Sequence, residues 1–249
     1  MSARSRDVAQ LSLLEGADGP RDVWRVRPSE RARRLAVRVL PGGLVEIVVP
    51  IGTRPTAIQQ FVAHHQRWIE RKIAQYTPLE TAPAGGLPER IHFAASGDMF
   101  DVRYVDAPGA LRLTLENRTL CLSGERHRAV LMRHALQRFT MRHAHEVLSP
   151  WLAELAAATG LDYARIQIRR QRTRWGSCSR NGTISLNACL LFQKPAVVNY
   201  LLVHELAHTR HMNHARRFWA LVERFEPDWR QLDRTLSRGW REVPTWVLR

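Results

Sequence analysis

The spacing of apolar residues predicts strands and one long helix in the first half of the chain. Apolar and polar positions alternate within 34–40 and within 44–49, and a period of two indicates half-buried strands. The Pro-Gly-Gly sequence between them predicts the turn of a hairpin. Helical spacing follows from 55 to 75, and further strands are predicted at 23–27, 91–94, 99–105, 111–116 and 119–123.

The second half is predicted to be mostly helical around one short hairpin. A strand starts at Ile166 and runs towards Trp175, and the Asn181-Gly182 pair predicts a tight turn into a partner strand at 183–190. The predicted helices are 126–147, 150–159, a helix from Pro195 through the histidines that follow, 215–225 and 228–237.

Length and composition describe a folded protein without membrane helices. The 249 residues are 45% hydrophobic and 24% charged, as in ordinary globular chains. No stretch approaches the roughly 18 apolar residues of a membrane helix, and the first residues lack the apolar core of a signal peptide. The cysteines (Cys121, Cys178 and Cys189) include no CxxC pair, so neither a disulfide framework nor a cysteine zinc site is expected. The expected compartment is the cytoplasm.

The chain is strongly basic. Its formal charge is +15, and arginine supplies nearly all of it because Lys72 and Lys194 are the only lysines. A basic chain attracts nucleic acid, nucleotides and other anions. The same charge is also expected of a solvated, arginine-rich surface that has no such partner. Charge alone therefore identifies no partner.

His204-Glu205-Leu206-Ala207-His208 is an HExxH motif near the end of a predicted helix. Residues four apart lie on one helix face, so both imidazoles can hold one tetrahedral metal at about 2.0–2.1 Å. Glu205 lies beside them, where it can hold a water at the metal instead of binding the metal itself. The alternative interpretation of the motif alone is a helix with two surface histidines and an ordinary glutamate.

A third ligand would distinguish a metal site from that alternative. His211 is seven residues beyond His204, a rise of about 10 Å along a straight helix, which is too far for one small metal. His214 is better placed if the chain leaves the helix and turns back, and Asn213 tolerates the left-handed backbone that such a turn often needs. The alternatives to His214 are Glu223 and Glu226 on the next predicted helix.

Three neutral histidines leave one open position on zinc, as in catalytic sites. The metal would acidify its water and polarise the scissile bond, and Glu205 would carry the proton from that water to the leaving group. The predicted reaction is therefore hydrolysis, with one zinc per chain. Cys178 has no activating partner in the sequence and is expected to be structural.

Further residues accompany the motif on both sides. They are Arg174-Trp175-Gly176-Ser177-Cys178-Ser179, Gly182, Ile184, Leu186-Asn187, Pro195, Tyr200, Val203, Asn213-His214, Phe218-Trp219 and Pro227-Asp228. With HExxH they resemble the YgjP-like family of zinc metallopeptidases, which is related to the SprT-like and WLM-type zincins. Arg31–Arg34 and His65–Ile69 extend the resemblance over most of the chain. The resemblance implies that His204, His208 and His214 bind the metal and that Glu205 is catalytic.

The expected fold class is α+β. The resemblance implies a zincin-like C-terminal part, in which a small sheet accompanies the HExxH helix, and the N-terminal part is expected to be β-rich α+β. The expected regions are an N-terminal tail at 1–22, the β-rich region at 23–125 and the zincin-like catalytic domain at 126–249.

The substrate is left open between a protein or peptide and a nucleotide. A hairpin strand near the metal could pair with an extended peptide. If the strand from Ile166 continues, alternation would place Arg170, Arg172 and Arg174 on one face. They would then form an anion-binding wall suited to phosphates, or a solvated strand edge.

Two further residues are candidates for substrate contact. Trp175 could stack on a base or pack around the metal helices. Asn187 could orient a ligand or complete the hairpin. A peptidase is favoured by the resemblance, and a metal-dependent nucleotide phosphohydrolase acting on nucleoside triphosphates is the main alternative. A basic nucleic-acid-binding protein with a structural metal is the third, although no helix-turn-helix or RNP signature supports it. No membrane partner is expected.

Overall fold

A computed structural model describes residues 24–76, 86–125 and 129–248. The chain divides into two compact units, Met1–Thr77 and Pro78–Arg249. The predicted tail 1–22 lies outside the described residues. The sequence analysis predicts a boundary after residue 125 between two functional regions, whereas the two compact units meet after residue 77. The boundary between functional regions stays a prediction.

The first unit is a three-stranded sheet with one helix. Its strands are β1 (Trp24–Ser29), β2 (Ala36–Val39) and β3 (Val45–Pro50), in the order β1-β3-β2. β2 is antiparallel to β3, which confirms the predicted hairpin, and β1 is parallel to β3. The helix α1 (Pro55–Tyr76) packs on the sheet through apolar residues at helical spacing. The buried core is Val45, Ile47, Val49, Ile58, Val62 and Ile69.

The second unit begins with a four-stranded sheet, which is built from the four strands that the sequence predicts between residues 91 and 123. Its strands are β4 (Arg90–Phe93), β5 (Asp98–Val105), β6 (Arg112–Glu116) and β7 (Thr119–Ser123). Their order is β4-β5-β7-β6, with β5 and β7 parallel and the other neighbours antiparallel.

One long helix, α2 (Ala129–Thr159), follows this sheet. The prediction of two helices is wrong, because the helix continues through Pro150. Pro150 has no N–H to donate to the carbonyl of Glu146 one turn earlier. Both residues are exposed, so this carbonyl is not left without a donor in the core. Leu148 and Leu152 on either side of it are fully buried, and their burial stabilises both halves of the helix.

A polar contact joins α2 to the sheet. His143 on α2 lies 3.0 Å, Nε2 to Oδ2, from Asp98 at the start of β5, and its ring stacks on Phe93 at 4.9 Å between centroids. Asp98 also accepts hydrogen bonds from Ser96 and Arg118. The Ser96 hydrogen bond is the largest cause that lowers the pKa of Asp98, with further lowering from His143 and Arg118 against the opposing effect of burial.

A second sheet carries the predicted tight hairpin. It contains β8 (Arg165–Arg169), β9 (Gly176–Cys178) and β10 (Thr183–Asn187) in the order β8-β10-β9, and β9 and β10 are antiparallel around Asn181-Gly182. The prediction that a strand runs on towards Trp175 is wrong. β10 pairs with β8 only up to Asn187 opposite Arg169, where β10 gives way to a 3-10 turn, so the chain beyond Arg169 has no partner strand.

The remaining elements are helices. They are α3 (Pro195–Ala207), α4 (Arg216–Phe225), α5 (Trp229–Arg238) and α6 (Thr245–Leu248), with a 3-10 turn at Gly239–Glu242. α3 is the central one and lies against β9, α2, α4 and α5. The predicted α+β fold class is confirmed. Among the described residues, no helix is both long and apolar enough to cross a membrane.

Candidate metal centre and active site

The helix α3 carries the HExxH motif. Pro195 occupies its first turn, where the missing N–H costs nothing. The helix is buried on nearly all sides, from Val197 to Ala207, as expected of a helix with apolar residues around its whole circumference. It ends at Ala207, so His208 is the C-terminal capping residue and lies one turn beyond His204.

The structure brings His214 to the two motif histidines. The Nε2 atoms of His204 and His214 are 3.1 Å apart. One ring nitrogen from each of His204, His208 and His214 lies within 4.8 Å of the others. Two ligands of a tetrahedral zinc at about 2.0–2.1 Å are separated by about 3.3 Å. The three nitrogens therefore converge at the spacing of a single metal ion.

The Nδ1 atoms of His204 and His208 have hydrogen-bond partners that fix the orientation of the two rings. His208 donates from Nδ1 to the carbonyl of His211 at 3.1 Å. The hydroxyl of Tyr200 donates to Asp233 at 2.9 Å, which leaves its oxygen to accept from His204 Nδ1 at 3.4 Å. Both imidazoles thus keep Nε2 free for a metal. Sequence reasoning missed the roles of Tyr200 and Asp233, although Tyr200 lies four residues before His204 on the same helix face.

The environment keeps the motif histidines neutral. Burial lowers the pKa of His204 to about 3, with smaller contributions from the charges of His208 and His214. Burial is also the largest cause that lowers the pKa of His208. Neutral imidazole is the form that binds a metal. Three imidazole donors suit a divalent ion such as zinc, so the residues present fit the metal that the motif implies.

The alternative ligands are engaged elsewhere. Glu223 accepts a hydrogen bond from Arg230 at 2.8 Å, and Glu226 accepts one from Asn199. Among the described residues, the three histidines are the only cluster of suitable side chains. The turn that returns the chain to His214 does not use a left-handed Asn213, because the described non-glycine residues with positive φ are Asn117 and Arg118. That part of the expectation is wrong.

Glu205 lies below β9 and is 4% exposed. A Cβ atom on Gly176 would come within 2.5 Å of Glu205 Oε1, so the carboxyl group fits against β9 only because residue 176 is glycine. Glu205 Oε2 is buried and has no hydrogen-bond partner among the described residues. Burial raises the pKa of Glu205 to about 8, and the charge of Arg174 opposes this shift.

Aromatic rings pack against the three histidines. Phe218 on α4 is fully buried, and its ring centroid lies 4.5 Å from that of His208 and 4.9 Å from that of His204. Trp219 stacks on His214 at 5.4 Å and on Trp229 at 4.0 Å. These rings support the histidines by packing.

The three arginines expected to line one strand face lie in the loop after β8. Arg170 is exposed, and it donates to the carbonyl of Val247 at 3.4 Å. Arg172 and Arg174 are exposed, and the charge of Arg174 acts on Glu205. The common strand face is absent because β8 ends at Arg169. Substrate binding by these arginines stays a prediction.

Trp175 and Asn187 both make internal contacts. Trp175 is 8% exposed and stacks on Trp240 at 4.0 Å between centroids. Asn187 is fully buried and donates to the carbonyls of Gln171 and Arg174, each at 2.7 Å. They thereby support the loop that leads into β9, and direct contact of either with substrate stays a prediction.

Cys178, at the end of β9, does not have the properties of a nucleophile. Burial raises the pKa of its thiol to about 11, and the charge of Glu205 raises it further. The thiol is therefore protonated at neutral pH, whereas the thiolate is the reactive form. This agrees with a structural role for Cys178.

Comparison with known proteins identifies the family. The sequence model of the YgjP-like metallopeptidase domain matches residues 33–239. The chain belongs to the YgjP-like family. Among solved structures, the metallopeptidase zymogen abylysin of Pyrococcus abyssi is 25% identical over 37% of this chain and 94% of its own, with a TM-score of 0.34. A search of curated proteins gives no significant match.

Membership of the YgjP-like family agrees with the resemblance inferred from the sequence. It supports a metallopeptidase, and hence a hydrolase that uses a divalent metal. It gives no support to a nucleotide phosphohydrolase. In the second unit of this YgjP-like chain a small sheet lies beside the HExxH helix, as the resemblance implies.

Proposed function

We propose that the chain is a zinc-dependent peptidase that holds one zinc ion through His204, His208 and His214 and uses Glu205 for proton transfer. The observation that carries the proposal is the convergence of three imidazole nitrogens within 4.8 Å beside a buried carboxyl group. Three protein ligands are characteristic of catalytic zinc sites, whereas structural sites use four.

Zinc held there would acidify a water and polarise the scissile carbonyl. Glu205 is placed to take and release protons. Its Oε2 has no protein partner among the described residues, so it is free to accept a proton from a reactant. Burial raises the pKa of Glu205 in the metal-free chain, and a divalent ion held by the adjacent histidines would lower it again, which favours the carboxylate form that accepts the proton. Tyr200 and Asp233 keep His204 oriented while this happens.

The edge strand β9 is the proposed place for an extended peptide. β9 is paired with β10 on one side and is the last strand of its sheet on the other. Its backbone passes directly over Glu205 at Gly176. A peptide that adds to this edge through main-chain hydrogen bonds would lie next to the proton-transfer group. The proposed partner is therefore an unfolded or extended polypeptide.

The test is the variant Glu205→Gln, which keeps the size of the side chain but cannot accept a proton at neutral pH. It should retain zinc and the melting temperature of the native chain while cleavage of casein falls by roughly 10²–10⁴-fold. Glu223→Gln is the matched control, because Glu223 is exposed and pairs with Arg230, and it should keep full activity.

Nucleoside triphosphates provide the comparison substrate. Hydrolysis of triphosphate that depends on Glu205, without proteolysis that depends on Glu205, would contradict the peptidase and support the phosphohydrolase. Proteolysis that persists in the Glu205→Gln protein would remove the proposed role of Glu205.

A further inference from the structure

A cavity lies in the second unit, away from the histidines. Its volume is about 680 Å³, and its lining includes His92, Gln193, Lys194, Arg234, Arg238 and Glu242. Lys194 precedes α3 by one residue, and His204 follows ten residues later, a separation of about 15 Å along the helix axis. The cavity defined by these six residues, called the cationic cavity below, is thus distinct from the metal centre.

The charges of the cationic cavity are unbalanced. Lys194, Arg234 and Arg238 are cations, and Glu242 is the one carboxylate among the lining residues. Among the described residues, no carboxylate lies within ion-pair distance of any of the three cations. The first turn of α3 beside Lys194 also has no acidic residue. The three cations are exposed and line one cavity, so a multivalent anion bound there can be attracted by more than one of them.

One side chain that lines the cationic cavity is buried and held in place by a hydrogen bond. Gln193 is 2% exposed, and its side-chain amide donates to the carbonyl of Gly239 at 2.9 Å. A Cβ atom on Gly239 would collide with Gln193 Oε1, so the buried amide has room there because residue 239 is glycine. The volume of the cavity is in the range of small-molecule sites, and several charged side chains among apolar lining residues are typical of a ligand pocket.

We infer that the cationic cavity binds a small molecule with two or more negative charges, carried by phosphate or carboxylate groups. Arginine donates to both groups through paired N–H bonds, and lysine supplies a compact positive charge. Arg234 and Arg238 lie four residues apart on α5 and so share one face of that helix. The site is independent of the peptidase chemistry.

Isothermal titration calorimetry with pyrophosphate and with citrate tests the inference. The double variant Arg234→Ala/Arg238→Ala should weaken binding of the tighter probe by at least about tenfold. The double variant Arg112→Ala/Arg180→Ala removes the same charge from two exposed arginines outside the cavity and should stay within about twofold of the native chain. Tighter binding of pyrophosphate assigns a phosphate ligand, and tighter binding of citrate assigns a carboxylate ligand.

Both probes can also bind zinc, so each titration is repeated in the His208→Ala background. Binding at the cationic cavity should be unchanged there. Loss of binding on removal of His208 would overturn the inference, because the anion would then sit at the histidines. Equal weakening by the two arginine pairs, or no binding of either probe, would overturn it as well.

Discussion

Gly176 is expected to be essential for the placement of Glu205. Its φ lies outside the left-handed region, so alanine is compatible with the backbone at this position. The effect of Gly176→Ala should therefore come from the contact with Glu205 alone. In the native chain the added Cβ would lie 2.5 Å from Oε1, 2.9 Å from Cδ and 3.0 Å from Cγ of Glu205.

The size of the disturbance follows from these distances. A carbon and an oxygen in ordinary contact are about 3.3–3.6 Å apart, so the carboxyl group must move by roughly 0.8–1.1 Å. Three atoms of the side chain are too close, and rotation of the carboxyl group alone cannot relieve the contact. A displacement near 1 Å at a reacting group costs on the order of 10²-fold in rate. Overpacking of this kind costs roughly 1–3 kcal/mol of stability.

The assay is cleavage of casein by Gly176→Ala, with zinc content and urea unfolding measured on the same preparation. The rate constant should fall by about 10²-fold while zinc stays at the native level, since the three atoms nearest to the new methyl group all belong to Glu205. Gly124→Ala is the control, because Gly124 also lies outside the left-handed region and its added Cβ would meet Leu111 at 3.1 Å or more.

A double-mutant cycle isolates the contact itself. In a Glu205→Ala background the side chain that meets the methyl group is gone, so the further change Gly176→Ala should cost little stability. If Gly176→Ala keeps its zinc and cleaves casein within about threefold of the native rate, the argument that Gly176 makes room for the catalytic carboxyl group is refuted.

Two further predictions concern the ligand set and the fold. His214→Ala should weaken zinc affinity by more than about 100-fold, which exceeds the usual effect of removing a residue that only hydrogen-bonds to a ligand. Glu223→Gln and Glu226→Gln should leave the affinity, measured by competition with a chelator, nearly unchanged. The opposite pattern would identify a glutamate as the third ligand. Asp98→Asn should cost roughly 1–2 kcal/mol at neutral pH through weaker charged hydrogen bonds. Because the pKa of Asp98 is lowered below 3.8 on folding, this contribution is present above pH 3.8 and is lost as the pH falls through the folded value. The unfolding curves of variant and native protein should therefore converge in acid, and a constant difference would contradict the assignment.

Most elements could be predicted from the sequence because local patterns determine them. The alternation in 44–49 and the Asn181-Gly182 pair act over a few residues, and the structure has β3 and the β9–β10 hairpin there. The spacing of His204 and His208 is likewise a property of one helix turn. The spacing argument against His211 assumed that the helix continues through the histidines, and this is wrong because α3 ends at Ala207. His211 contributes its carbonyl to His208 instead of its ring.

The errors arose where distant contacts override the local pattern. The alternation of arginines after Ile168 would continue a strand only if a partner strand continued beside it. Instead, Asn187 binds the carbonyls of Gln171 and Arg174 and holds that segment as a loop. In the same way, Pro150 predicts a break between two helices, but Leu148 and Leu152 are buried on either side of it, and the helix continues.

The orientation of the site could not be predicted for the same reason. HExxH identifies which side chains can meet a metal, but it does not say which ring nitrogen faces the metal or what holds the glutamate in place. Those properties depend on Asp233, which reaches His204 through Tyr200 from another helix, and on Gly176, which reaches Glu205 from a strand. Each link joins residues from separate elements, and none follows a period in the sequence. A motif match therefore predicts the ligands of such a site, whereas its geometry depends on the contacts between α3, α5 and β9.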